Sequence, residues 1–173
     1  DVVSSTISPK TPPQPPVTQT KALWGLHSSA DGCWGNPMLP EIQDMVKTAK
    51  IQAVKMLSNE SSESVKILKG INSDIFLLVR LFAKVNEEHS SASDFINTVG
   101  AQARSFYDQG VRYFEVHNEP NLYIEGFGSS WSDGAKFSTF FNSIIGSLEK
   151  DMPEAEWGYP GLSPGHNIDG VRY

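Results

Sequence analysis

Short apolar runs alternate with amphipathic stretches from residue 21 onward. The run 22–26 is followed by a polar, glycine-containing loop over 27–36. Behind Pro40, a residue suited to a first helical turn, Ile42, Met45, Val46 and Ala49 fall at helical spacing. A strand is predicted over 51–57. Ser61 and Ser62 then offer caps to a helix carrying Val65, Ile67 and Leu68 and closed by Gly70. The near-continuous apolar run 74–82 reads as a strand covered on both faces. Ser93 and Asp94 precede a helix over about 95–109 that Gly110 ends, and a fourth strand follows over 111–118. A long helix over 131–150 shows Phe137, Phe140, Phe141, Ile144, Ile145 and Leu148 on one broad face, and a brief fifth strand over 157–159 runs into a Pro/Gly loop.

This βαβαβαβαβ order predicts an α/β fold with a parallel sheet and right-handed crossovers. A doubly wound sheet is one way to build it and normally carries a glycine-rich phosphate loop after its first strand. Gly25-Leu26-His27 is no such loop, and no Walker pattern occurs. Polar and aromatic residues instead follow the ends of strands one, three and four, as barrels prefer. The fold expected is therefore a partial (β/α)8 TIM barrel of about five parallel strands with flanking helices, over 21–173. Residues 1–20, with Pro9, Pro12, Pro13, Pro15 and Pro16 among Ser and Thr, form a linker too poor in apolar residues to fold alone. Such linkers tether domains of exported proteins and favour an extracellular setting.

Composition narrows the chemistry. A net charge of −6 without a basic stripe excludes a nucleic-acid partner and suits a neutral polar ligand. No apolar run approaches the roughly 20 residues of a membrane-inserted helix. The single cysteine, Cys33, excludes an internal disulfide framework and a Cys-based zinc site. His27, His89 and His166 show no metal-ligand spacing, so no cofactor or metal is expected.

The most specific signal closes the fourth strand: Val116-His117-Asn118-Glu119-Pro120-Asn121. A carboxylate at the C-terminal tip of a strand sits where barrels keep catalytic groups, and Pro120 stops the ladder and turns the chain outward. On these residues and on its element order, the chain resembles glycoside hydrolase clan A, the retaining (β/α)8-barrel glycosidases. The resemblance implies hydrolysis of a β-linked oligo- or polysaccharide, with Glu119 as general acid/base and Asn118 binding the sugar 2-hydroxyl. Without it, Glu119 is a solvated loop-end carboxylate and Asn118 a turn-former.

His117 stands where relatives often have Trp. It shares strand parity with Glu115 and Glu119, which puts all three on one face; a structural histidine held by a hydrogen bond is the other reading. Arg80 on the third strand is either the partner of a barrel-facing Glu115 or a substrate contact. His27, Trp34, Tyr123 and Trp131 lie at or after strand ends and are candidate sugar contacts, each with core packing or a surface loop as its alternative. The resemblance also implies a nucleophilic Glu on strand seven, and a full barrel takes about 250 residues against the 173 here. The expectation is half an active site, completed by a C-terminal segment or by a second chain. A noncatalytic carbohydrate-binding or assembly module derived from such a barrel is the alternative.

Overall fold

The computed structural model describes residues 22–28, 35–84, 91–164, 167–168 and 171–172. The main elements run β1 (Gly25–His27), α1 (Pro40–Thr48), β2 (Ala53–Leu57), α2 (Glu63–Ile71), β3 (Phe76–Leu81), α3 (Ala92–Asp108), β4 (Tyr113–Val116), α4 (Gly134–Leu148) and β5 (Glu156–Gly158). The five strands form one all-parallel sheet in the order β1-β2-β3-β4-β5. A two-residue antiparallel pair, β6 (Asn167–Ile168) and β7 (Val171–Arg172), follows. The α/β class and the five parallel strands are as the sequence pattern predicts. The linker over 1–20 lies outside the described residues, and no described helix is long and apolar enough to cross a membrane.

The order never doubles back, whereas doubly wound sheets reverse at a switch point. Right-handed crossovers that always step to the next neighbour put every helix on the same face, and the side chains follow suit. Val54, Met56, Leu77, Val79, Leu81, Phe114 and Val116 alternate along the strands onto one buried face. They pack under Val46 of α1, Val65 and Leu68 of α2, Phe95, Val99 and Phe106 of α3, and Ile144 and Leu148 of α4.

The opposite face is chemically different. At its N-terminal end Phe76 and Tyr113 set their rings 4.7 Å apart. Further up it carries three charges. Arg80 and Glu115 are direct partners in the β3–β4 register, and Arg80 Nε donates to Glu115 Oε1 at 2.6 Å. Lys55 Nζ, from β2, donates to Glu115 Oε2 at 2.6 Å. Glu115 is buried, so each of its oxygens is matched to a cation rather than to water.

Several boundaries differ from the expected ones for local reasons. Trp24 is exposed, and its carbonyl accepts from both Gln52 and Ala53, so pairing of β1 starts only at Gly25. There a Cβ would lie 3.2 Å from that of Ala53, a close approach glycine permits. Helix α2 passes through Gly70 and stops at Asn72, whose extended backbone (φ −147°) ends it. Helix α3 begins one turn earlier than its apolar pattern, because Ser91 and Asp94 form a reciprocal capping box. Gly110 ends that helix as expected, in the left-handed region at φ +90°. Helix α4 starts at Gly134 because Asp133 caps it through the Lys136 N–H at 2.8 Å, leaving Trp131 before the helix.

Replacing Glu115 with Gln leaves two cations facing one neutral amide. The expected outcome is a loss of about 3 kcal/mol of folding stability, read as a lower urea midpoint. An unchanged midpoint would mean that water already satisfies Lys55 and Arg80.

Candidate active site

Strand β4 ends with a change of hand. His117 still donates its backbone N–H to Leu81 at 2.8 Å, but its φ is +74°, a left-handed value uncommon for a residue with a Cβ. The turn breaks the alternation of the strand, so the expected shared face of Glu115, His117 and Glu119 does not hold for His117. Its ring goes into the helix-side core and is 0% exposed. Phe95 and Trp131 meet it edge-on with centroids at 5.9 and 5.3 Å, and Phe82 stacks on it at 5.8 Å. His117 therefore packs and offers no surface to a ligand.

After this turn Asn118 comes back to the charged face. Arg80 Nη1 donates to Asn118 Oδ1 at 2.5 Å while Arg80 Nε holds Glu115. The two roles considered for Arg80 thus converge: one guanidinium ties the charged face of the sheet to the residue before Glu119. Glu119 is half-buried, and its carbonyl closes a turn by accepting from Leu122 N at 2.9 Å. Pro120 is buried, with its carbonyl accepting from the Trp131 indole Nε1 at 2.6 Å.

The chain then folds back through a single 3-10 turn, Tyr123–Glu125, stopped by Gly126 at φ +114°. This brings Glu125 under the motif. Asn118 Nδ2 donates to Glu125 Oε1 at 2.8 Å, and His117 Nε2 donates to the Glu125 carbonyl at 2.7 Å. Burial raises the Glu125 carboxyl above the ordinary carboxylate range. The Asn118 bond eases that shift, the charge of Glu119 adds to it, and Arg80 eases it again. Burial lowers the His117 pKa to about 4, with the hydrogen bond to Glu125 opposing and Arg80 adding. The ring is thus neutral near pH 7, and the Glu125 Oε2 atom 3.9 Å from Nε2 makes no ion pair with it. Among the described residues His117 Nδ1 has no hydrogen-bond partner.

A cavity of about 540 Å³ opens beside this network at the C-terminal end of the sheet, lined among others by His27, Ser58, Arg80, Phe82, Lys84 and Asn118. Its neighbouring loops are tied together by the Ser28 hydroxyl, which donates to the buried Glu60. Three residues singled out from sequence, His27, Arg80 and Asn118, share this cavity. Tyr123 sits on the 3-10 turn and is 65% exposed. Trp131 is 2% exposed, its ring 4.9 and 5.0 Å from Phe137 and Phe140, so it is a core residue and not a sugar platform. Trp34 lies outside the described residues. Glu125, six positions after Glu119 in the same loop, is at best a substrate-loop candidate from sequence, whereas the structure turns it onto Asn118. Gly126 was the available signal, since a glycine in a left-handed turn lets the loop fold back. Among the described residues no group of three or more His, Cys, Asp or Glu is placed to hold a metal ion.

Burial of His117 has a measurable sign. Its folded pKa is near 4 and its unfolded pKa about 6.5, so between those values the unfolded chain binds the proton and the folded chain does not. Stability then falls as pH drops from about 6.5 to 4, by roughly 3 kcal/mol from this group alone. The raised Glu60 and Glu125 carboxyls act oppositely: their contribution is full below the ordinary carboxylate value and is lost as pH rises through their folded values. The ring itself is the cleaner probe. Imidazole NMR is expected to show a neutral Nε2–H tautomer down to about pH 4; a midpoint near 6.5 would contradict its place in the core.

No protein-family model matches this chain, and no curated protein matches it either.

Proposed function

We propose that this chain forms the first five strands and four intervening helices of a (β/α)8 barrel and contributes the acid/base half of a retaining β-glycosidase site. One observation carries the reading. The Asn118-Glu119-Pro120 sequence stands at the C-terminal end of the fourth of five parallel strands, and Asn118 is held by Arg80 at the mouth of a cavity. Catalytic groups of barrels come from that end of their strands. Further support comes from the strand order, which follows the chain without reversal as an arc of a barrel does, and from the purely helix-sided packing.

In this reading the cavity takes a sugar of a β-linked glycan. Glu119, as the acid, gives its proton to the glycosidic oxygen while the C1–O bond breaks. A second carboxylate, about 5 to 5.5 Å away, bonds to C1. The resemblance puts that nucleophile on a seventh strand. In the second step Glu119, now a carboxylate, takes a proton from water as the water oxygen attacks C1 and the nucleophile leaves. Asn118 holds the 2-hydroxyl, a contact that strengthens as charge builds at C1. Arg80 touches no reacting atom in this scheme; it aims Asn118.

The test uses the full-length protein and a panel of aryl and natural β-glycosides. On natural β-glycosides and aryl β-glycosides with poor leaving groups, Glu119→Gln is expected to lower kcat/KM by about 10²- to 10⁴-fold while substrate binding, followed by calorimetry, is kept. Unchanged turnover would remove Glu119 from the acid/base role. Glycan binding with no turnover in the unsubstituted protein would favour the noncatalytic binding module.

A further inference from the structure

We infer that Glu125 is the positioning residue that fixes the amide of Asn118 for the sugar 2-hydroxyl; this rests on the glycosidase reading above. A side-chain amide can turn by half a rotation about its last bond and exchange oxygen for nitrogen. Arg80 is all donor, so it selects Oδ1, at 2.5 Å from Nη1. Glu125 Oε1 accepts, so it selects Nδ2, at 2.8 Å. With both in place the amide has one orientation. One Nδ2 proton is used on Glu125, and the planar geometry then sets the direction of the other. Arg80 alone holds the amide at one end only and leaves its plane free to rock; Glu125 pins the other end.

Glu125 is itself held by unusual means. Its backbone N–H donates to the Leu122 carbonyl at 3.1 Å, and Gly126 in a left-handed turn lets the chain leave. Its carbonyl accepts from the ring of His117. The left-handed φ of His117 is what carries that ring into the core. The strained residue therefore anchors the backbone of Glu125, and the carboxylate of Glu125 returns to Asn118, the residue after His117. The loop closes on the motif it leaves, and the Asn118 amide is set before any ligand arrives.

The experiment reads this through the ligand group concerned. In the full-length protein, Glu125→Leu removes the acceptor and Glu125→Gln keeps one. On a β-glycoside with its 2-hydroxyl, Glu125→Leu is expected to lower kcat/KM by about 10- to 100-fold, and Glu125→Gln to restore most of it. On the matching 2-deoxy-glycoside the Glu125→Leu loss is expected to shrink to about 2-fold, because the contact that Glu125 serves is absent. Equal losses on both substrates, or no recovery with Gln, would overturn the assignment.

A second measurement needs neither turnover nor a disruptive variant. In a Glu119→Gln background, the Asn118 side-chain amide resonances are expected to shift along the titration of Glu125. Amide signals that ignore that titration would overturn the positioning role. If the full-length protein hydrolyses no glycoside, the glycosidase reading fails and service to the 2-hydroxyl fails with it; the amide titration then still decides whether Glu125 holds Asn118.

Discussion

One guanidinium joins the two halves of this molecule's chemistry. Arg80 projects from β3 on the face away from the helices and makes two bonds at once, to Glu115 within the sheet and to Asn118 beyond its end. Lys55, from β2, bonds the other oxygen of Glu115, so two cations share one carboxylate. Three adjacent strands are thereby locked in register on a face that has little apolar packing of its own. Loss of the carboxylate would leave two partly buried cations side by side, so Glu115 is the least replaceable of the three. Arg80 ties the sheet to Asn118, the residue before Glu119.

The second constraint acts from the other side of the sheet. A histidine in a left-handed conformation costs backbone energy, and here the cost accompanies a neutral ring surrounded by Phe82, Phe95, Trp131 and Phe140. Trp131 also grips the Pro120 carbonyl. The turn carrying Asn118 and Glu119 is therefore clamped between a polar network on one face and an aromatic cluster on the other. Glu119 keeps a partly open position between them, with a second carboxylate, Glu125, close enough for their charges to interact.

Much of this was legible in the residues, and the exceptions are instructive. The alternation of apolar runs with helical stripes gave the parallel sheet because both periods are local. Charge and strand number make Glu115 one of two partners open to Arg80, and the strand register brings the two side by side. Two things escaped. Strand parity placed His117 beside Glu119, but parity assumes extended backbone, and one left-handed residue cancels it. Trp131 reads as a candidate sugar contact because its burial depends on Phe137 and Phe140 reaching back from α4. Glu125 was hidden for the same reason: its role comes from a glycine-assisted fold-back, which no hydrophobic period records. Local pattern thus reached the elements and the place of Glu119 at a strand end, and long-range packing decided which residues surround it.

The central claim is that Glu119 delivers a proton to a leaving oxygen, and leaving-group dependence tests it most directly. For the full-length protein and its Glu119→Gln variant, kcat/KM is measured across aryl β-glycosides whose leaving phenols span a wide pKa range. The account expects a large loss for poor leaving groups that need the proton and almost none for a dinitrophenolate that leaves without it. A loss of the same size across the whole series would show that Glu119 is not the acid.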